Sequence, residues 1–103
     1  MKKYIYVISS SKSNNSPCKI GISDNPDKRV KQLQTGHPEK LEIKYKKIIE
    51  NARLYEKLLH KDISYIRSYG EWFDLSVQEA IEQINFTLLH YEKSELDNSG
   101  IIL

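Results

Sequence analysis

Two short apolar runs near the start of the chain predict a β-hairpin. Residues 4–8 are Tyr-Ile-Tyr-Val-Ile and residues 18–22 are Cys-Lys-Ile-Gly-Ile, compositions that favour buried strands. The segment between them, residues 9–17, is rich in serine and asparagine and contains a proline, which is typical of a loop. We therefore expect two antiparallel strands joined by this loop.

A short helix and a third strand are predicted to follow. Asn25 suits an N-cap, Pro26 suits the first helical position, and Thr35-Gly36 is a helix stop signal. Residues 41–46 alternate apolar and charged side chains, which is the period-two pattern of a half-buried strand.

Helical spacing then dominates. Apolar residues at i, i+3, i+4 and i+7 run from Ala52 to Ile66 and predict a helix of about four turns, ended by Gly70. Residues 71–74 suit a short strand. Ser76, with Glu79 as its capping-box partner, would begin a last helix. The predicted core face of that helix consists of Val77, Ala80, Ile81, Ile84 and Leu88.

This order of elements predicts an α+β fold, an α/β sandwich with a small mainly antiparallel sheet of three to four strands and about three flanking helices. A chain of 103 residues suits one domain. We expect a core over residues 1–75, a C-terminal helix over 76–95 packed on it, and a tail over 96–103. Residues 97–100 should form a turn, followed by the apolar end Ile101-Ile102-Leu103.

The charge of the chain is unevenly distributed. Residues 1–70 carry 15 Lys/Arg and 7 Asp/Glu, a net +8, whereas residues 71–103 carry 1 and 7, a net −6. A basic body attracts polyanions such as nucleic acids, although a solvated lysine-rich surface would give the same counts. A membrane span and a signal peptide are not expected, and Cys18 is the sole cysteine, so we expect a cytoplasmic protein without an internal disulfide.

Six motifs in this order resemble the GIY-YIG endonuclease superfamily, and in particular its phage- and virus-associated branch that includes the meiotically up-regulated gene 113-like proteins. The motifs are Tyr-Ile-Tyr-Val at 4–7, Lys-Ile-Gly-Ile-Ser at 19–23, Pro-x-x-Arg at 26–29, Leu-x-Thr-Gly-x-Pro at 33–38, Glu-x-x-Leu-His at 56–60 and Gly-Glu-Trp-Phe at 70–73. The resemblance spans roughly residues 4–75. It implies a GIY-YIG nuclease-like fold and a phage or prophage origin.

The resemblance also implies metal-dependent hydrolysis of phosphodiester bonds, in DNA rather than RNA and with low sequence specificity unless a targeting protein or a homodimer supplies it. Arg29 would stabilise charge on the phosphate through its planar fork, and Glu56 would bind a single Mg²⁺ or Mn²⁺ ion. Tyr6 would be the general base, which requires a lowered phenol pKa. Each of the three residues also has a structural interpretation, as a strand aromatic or a solvated helix charge.

The remaining site residues follow from position. His60 lies one helical turn after Glu56 and would act beside the metal or have a structural role. Contacts to nucleic acid are expected from Tyr4, Lys28, Lys31, Gln34, His37 and Trp72. His37 would touch phosphate or carry a proton, and Trp72 with Phe73 would either stack on a base or belong to the core.

The chain departs from the family pattern at two points. Lys19 replaces the tyrosine of the second motif, and the asparagine found late in many family nucleases has no counterpart near Trp72-Phe73. Lys19 would contact phosphate or lower the pKa of Tyr6, or it would mark a protein that binds nucleic acid without cutting it. A third hypothesis is a protein-interaction factor that uses the acidic last helix and the apolar end.

Overall fold

The computed structural model describes residues 2–15 and 17–98, with side chains described as far as residue 90. The elements in chain order are β1 (Lys3–Ser10), β2 (Cys18–Ser23), α1 (Pro26–Gln34), β3 (Leu41–Ile49), α2 (Ala52–Asp62), a 3₁₀ turn (Ser64–Ile66), β4 (Arg67–Tyr69), β5 (Trp72–Phe73) and α3 (Val77–Asn98). The predicted α+β class is confirmed. None of the helices in the described ranges is long and apolar enough to cross a membrane.

The strands form one antiparallel sheet in the order β3-β1-β2-β5-β4. Helix α1 covers one face of the sheet, and α2 and α3 cover the other. Side chains alternate along β1, so Ile5 and Val7 join the core beneath α2 and α3 whereas Tyr6 and Ile8 face α1. The same alternation along β2 directs Cys18 and Ile20 into the α2/α3 core.

Local capping signals in the sequence are realised in the structure. Asn25 Oδ1 accepts a hydrogen bond from the backbone N–H of Lys28 at 3.1 Å, with Pro26 at the first helical position. Ser76 and Glu79 form the predicted reciprocal box, with Oγ of Ser76 accepting from Glu79 N at 3.1 Å and Oε1 of Glu79 accepting from Ser76 N at 3.0 Å.

The second half of the chain differs from the sequence prediction. Helix α2 ends at Asp62 rather than near Ile66, because residues 67–69 leave the helix to pair with β5 through a turn at Gly70, whose φ is +56°. The sheet therefore has five strands, not three to four. Ile63 and Ile66 still pack on the core, so the apolar spacing predicted their burial correctly, although the backbone beyond Asp62 is a 3₁₀ turn rather than α-helix.

Two further boundaries are corrected. Strand β3 continues to Ile49, three residues beyond the predicted end, because its pairing with β1 extends to Lys3 opposite Ile49. Helix α3 continues through Asp97 and Asn98, where a turn was predicted. The rest of that turn and the apolar end Ile101-Ile102-Leu103 lie outside the described residues.

Candidate active site

Tyr6 and Arg29 meet on the α1 face of the sheet. Tyr6 lies in the middle of β1 and only 1% of it is exposed, while Arg29 lies in the first turn of α1. The Arg29 guanidinium forms a hydrogen bond with the Tyr6 hydroxyl. Val30 and Leu33 hold α1 on the small apolar cluster around Tyr6, which fixes the position of Arg29. The hydroxyl is therefore held by a cation on a packed helix.

Gly21 leaves the space that the Tyr6 hydroxyl occupies. A Cβ atom at Gly21 would lie 2.6 Å from Tyr6 Oη and 2.9 Å from Cζ, closer than such atoms approach in proteins, and 3.3 Å from Oε1 of Glu71. Gly21 is paired with Tyr6 across the β1/β2 ladder, so neither residue can shift without breaking the sheet. Close approach of these groups therefore requires glycine at this position.

Glu56 and His60 of α2 reach the same place from the other face by way of an open strand edge. Strand β5 pairs with β2 only at Cys18 and Lys19, which leaves the next residues of β2 without a neighbouring strand on that side. His60 Nε2 donates to Ile20 O at 2.9 Å, and the Glu56 carboxylate accepts from the Ile22 backbone N–H. Side chains of α2 thus form the hydrogen bonds that a neighbouring strand would otherwise form with Ile20 O and Ile22 N–H. These bonds fix the positions of both side chains.

Glu71 completes the arrangement from the β4–β5 turn. Its carbonyl accepts from Ile20 N at 3.2 Å, and its carboxylate forms an ion pair with Lys19 at 3.3 Å. Lys19 is largely buried, with 8% of its side chain exposed, so it is held by this pair. One ligand atom from each of Glu56, His60 and Glu71 lies within 4.8 Å of the others. We call Tyr6, Lys19, Arg29, Glu56, His60 and Glu71 the Gly21 cluster.

Burial and the two carboxylates control the electrostatics of the cluster. Burial raises the pKa of Tyr6, Glu71 and Glu56 raise it further, and Arg29 acts in the opposite direction. Burial also raises the pKa of Glu56, as does neighbouring Glu71, while His60 and Lys19 oppose the rise. The lowered Tyr6 pKa that a general base requires is thus not produced by these side chains, and Arg29 is a cation that acts on Tyr6 in the lowering direction.

His60 has a defined tautomer in this arrangement. A carbonyl oxygen only accepts hydrogen bonds, so the bond to Ile20 O places a proton on Nε2 of His60 and leaves Nδ1 as the acceptor of the neutral ring. Histidines that ligate metals commonly donate their other N–H to a backbone carbonyl in this way. Cys18, by contrast, offers no nucleophile, because burial raises the pKa of its thiol to about 11.

Four of the residues predicted to contact nucleic acid lie on or beside α1, and one of them has a structural role. Lys28 and Lys31 are exposed on α1, and Tyr4 lies on the same sheet face as Tyr6, with Lys46 Nζ 5.5 Å from its ring centroid. Gln34 has a structural part, since its amide donates to Glu39 O at 2.8 Å and accepts from Leu41 N at 2.7 Å. This amide fixes the loop after α1.

The two predicted aromatic residues of β5 face opposite ways. Phe73 is fully buried in the α2/α3 core, which is the structural interpretation. Trp72 lies on the α1 face and stacks with His37, their ring centroids 5.7 Å apart and inclined by 26°. Lys19 Nζ lies 5.8 Å from the Trp72 centroid, so Trp72 and His37 border the Gly21 cluster.

Sequence reasoning missed Glu71 and the part played by Gly21. A signal was present for both, because each lies inside a motif that carried the family resemblance, Gly-Glu-Trp-Phe and Lys-Ile-Gly-Ile-Ser. Only the pairing of β2 with β5 and the contacts of Glu71 with Lys19 and Ile20 show that the two motifs adjoin.

The site thus combines a basic helix across a small antiparallel sheet with an arginine, a tyrosine and two carboxylates beside a strand glycine. The sequence model of the T5orf172 domain, a phage-associated domain related to GIY-YIG-like nucleases, matches residues 3–88. The chain belongs to the T5orf172 domain family. Searches of curated proteins and of solved structures return no significant match.

Proposed function

We propose that the protein is a metal-dependent endonuclease that hydrolyses phosphodiester bonds in nucleic acid, with DNA as the favoured substrate. The observation that carries this proposal is the convergence of Tyr6, Arg29 and two carboxylates around Gly21, although they come from a strand, two helices and a turn. Membership of a nuclease-related family supports it. Hydrolysis of a phosphodiester develops negative charge on the phosphate, and this cluster offers both cations and cation ligands.

Arg29 and Lys19, the two cations of the Gly21 cluster, have different roles in the proposal. Arg29 offers a planar fork that binds two phosphate oxygens, and its hydrogen bond to Tyr6 orients it. Lys19 pairs with Glu71, so its charge is directed toward the carboxylates as well as toward a phosphate. Lys28 and Lys31, exposed on α1, would contact the flanking phosphates and supply affinity without sequence specificity. Specificity would then come from a targeting protein or a second copy of the chain.

The donor atoms of the cluster fit a divalent ion. Glu56 and Glu71 offer the oxygen ligands that Mg²⁺ and Mn²⁺ prefer, and His60 offers a ring nitrogen, which Mn²⁺ also accepts. Burial and repulsion by the Glu71 carboxylate raise the pKa of Glu56, and a bound cation would relieve that repulsion. When bound, such an ion supplies positive charge that neutralises the phosphate and lowers the pKa of nearby acids.

Tyr6 is the group whose role the structure changes most. Its raised pKa keeps the phenol protonated at neutral pH, while Arg29 donates to its oxygen and leaves the hydroxyl hydrogen available. In the proposal Tyr6 therefore holds the attacking water or a phosphate oxygen by donating a hydrogen bond. It becomes a general base only when added positive charge brings its pKa down.

The experiment is a cleavage assay with single-stranded and duplex DNA and RNA, with Mg²⁺, with Mn²⁺ and with a chelator. We expect the wild-type protein to cleave only with a divalent ion, and Arg29→Ala and Glu56→Ala to lose at least about 100-fold in rate. Wild-type protein that leaves every substrate intact under all conditions would refute the proposal.

A second function, binding of nucleic acid without cleavage, is favoured by the raised Tyr6 pKa and by the Lys19–Glu71 pair that neutralises part of the site. It predicts affinity that falls steeply with salt and persists in Glu56→Ala, because phosphate contacts would supply the free energy of binding. Salt-dependent binding without cleavage would therefore select it over the endonuclease.

A further inference from the structure

A cavity of about 500 Å³ lies beside the Gly21 cluster on the α1 side of the sheet. It is formed where the hairpin loop after β1, the loop after α1 and the β4–β5 turn come together. Ligand cavities in proteins commonly have 300–1,000 Å³, so one planar heterocycle and its sugar fit easily. None of the residues proposed for cleavage lines this cavity.

Aromatic side chains line the cavity. His37 and Trp72, stacked on each other, contribute two of them, and Tyr69 contributes a third. Tyr69 is 79% exposed, so it is not there to stabilise the core. Exposed aromatic side chains next to cations are how proteins bind the unpaired bases of single strands, since every base offers a π face.

The cavity also carries polar groups suited to the edge of a base. Ser10 Oγ donates to Oε2 of Glu39 at 2.8 Å. Ser13 and Asn15, in the loop after β1, also line the cavity. The carboxylate of Glu39 accepts hydrogen bonds and the hydroxyls both donate and accept. Such groups orient a heterocycle that the aromatic rings hold by its face.

The position of Lys19 links this cavity to the proposed cleavage site. Its Nζ lies 5.8 Å from the Trp72 ring centroid and 3.3 Å from the Glu71 carboxylate, so one residue borders both places. A base is joined to its own phosphate through one sugar, so in a nucleic-acid strand each phosphate has a base within one nucleotide's length of it. A strand whose phosphate lies at Arg29 and Lys19 therefore brings a neighbouring base to Trp72.

We propose that this cavity binds an unpaired base of the substrate strand next to the cleaved phosphate, so that the substrate is single-stranded or locally unpaired nucleic acid. The inference rests on the proposed function and adds the class of substrate to it. A fully paired duplex must first unstack one nucleotide, which costs a few kcal/mol, and so binds more weakly at this site.

Trp72 is the only tryptophan of the chain, so its fluorescence reports on the cavity directly. The full chain is titrated in a buffer with a chelator, which prevents cleavage. The three ligands are a short single-stranded DNA oligonucleotide, an oligonucleotide of the same length with abasic sites, and the blunt-ended duplex of the first. We expect the intact strand to quench Trp72 and to bind roughly 5- to 100-fold more tightly than the abasic strand, the ratio that stacking of one base gives.

Two tyrosine variants provide the matched comparison. Tyr69→Ala should weaken binding of the intact strand by a similar factor and leave binding of the abasic strand unchanged. Tyr65→Ala, at a residue that is 82% exposed and outside the cavity, should change neither. Both substitutions are at exposed positions, so the fold should persist, and circular dichroism checks this.

The outcomes separate this inference from the proposed function. Equal affinity for intact and abasic strands, or for strand and duplex, overturns the base cavity even if the protein cleaves DNA. Base-dependent quenching by a protein that cleaves nothing with Mg²⁺ or Mn²⁺ supports the cavity and refutes the endonuclease. Unchanged binding in Tyr69→Ala overturns the cavity as well.

Discussion

The two faces of the sheet are built for different purposes. Against α2 and α3 the sheet buries one cluster of fifteen residues among those the structure describes, nearly all of them aliphatic or aromatic. Against α1 it buries only Tyr6, Ile8 and Leu41, with partly buried neighbours around them. The α1 face instead carries Arg29, Lys19 and the aromatic cavity.

This difference separates stability from chemistry. The free energy of folding comes mainly from apolar area removed from water, and that area lies beneath α2 and α3. The lightly packed α1 face can therefore hold a buried lysine, a phenol and paired carboxylates at its edge, groups that a tightly packed core excludes. Four predictions test this division, and the first concerns stability alone.

Truncation of an isoleucine to alanine should lower the free energy of unfolding more on the α2/α3 face of the sheet than on the α1 face. Ile84→Ala, at a residue 1% exposed under α3, should lower the free energy of unfolding by about 2–5 kcal/mol, because the cavity it leaves cannot collapse. Ile43→Ala, partly buried on the α1 face, is the matched control and should cost less than half as much. Equal losses in urea denaturation would contradict the division.

Arg29→Lys should damage catalysis and spare stability. Lysine keeps the charge but loses the planar fork that binds two phosphate oxygens, so we expect the cleavage rate to fall by about 10²- to 10³-fold with little change in Tm. Lys31→Ala, on the same helix, is the control and should alter mainly the salt dependence of binding. A loss of only a few-fold in Arg29→Lys would remove Arg29 from the proposed mechanism.

Gly21→Ala tests the close approach at the centre of the cluster. The added methyl group would press on Tyr6 Oη and Cζ, which are buried and held by the sheet, so we expect a loss of about 1–3 kcal/mol in stability. In a Tyr6→Phe background the 2.6 Å contact with Oη is gone, and the same substitution should cost less. Additive losses in this double-mutant cycle would show that the two residues do not interact.

On stability, Glu56→Gln should have the smallest effect of the four, a slight gain in metal-free buffer at neutral pH. The pKa of Glu56 is raised in the folded protein, so its contribution to stability is fully present below the unfolded value of 4.5 and is lost as pH rises through the folded value. The glutamine keeps an acceptor for Ile22 N–H without the charge. The Tm difference from wild type should therefore disappear below about pH 4.5.

A control for this last effect is Glu82→Gln on α3, an exposed residue that is not a member of the Gly21 cluster. It should show no such crossover with pH. A wild-type protein that is more stable than Glu56→Gln at pH 7 in a chelator would contradict the raised pKa of Glu56 that burial and Glu71 produce.

The parts of the fold that local signals determine were predicted from the sequence. The Asn25 cap, the Ser76/Glu79 box and the alternation in β1 act within a few residues, and all three are present. Strand β4 was missed because Arg67–Tyr69 becomes a strand only by pairing with Trp72–Phe73. The apolar spacing that continued through Ile66 was right about the core and could not show where the backbone changes direction.

The site divides in the same way. Tyr6, Arg29, Glu56 and His60 were named from motif positions, and the structure brings them together. Glu71 was missed because its place depends on pairing between residues distant in sequence, and the cavity at Tyr69 depends on three separate loops. The direction of the Tyr6 pKa also required the fold, since burial is its largest cause.

The most direct test of the central claim is the rate of cleavage of a labelled single-stranded DNA as Mg²⁺ is added, for wild type and for Glu56→Gln verified to be folded. The account predicts a wild-type rate that rises from nothing to saturation with Mg²⁺, and a Glu56→Gln rate at least about 100-fold lower at every concentration. Cleavage by wild type in a chelator, or equal rates for the two proteins, would contradict it.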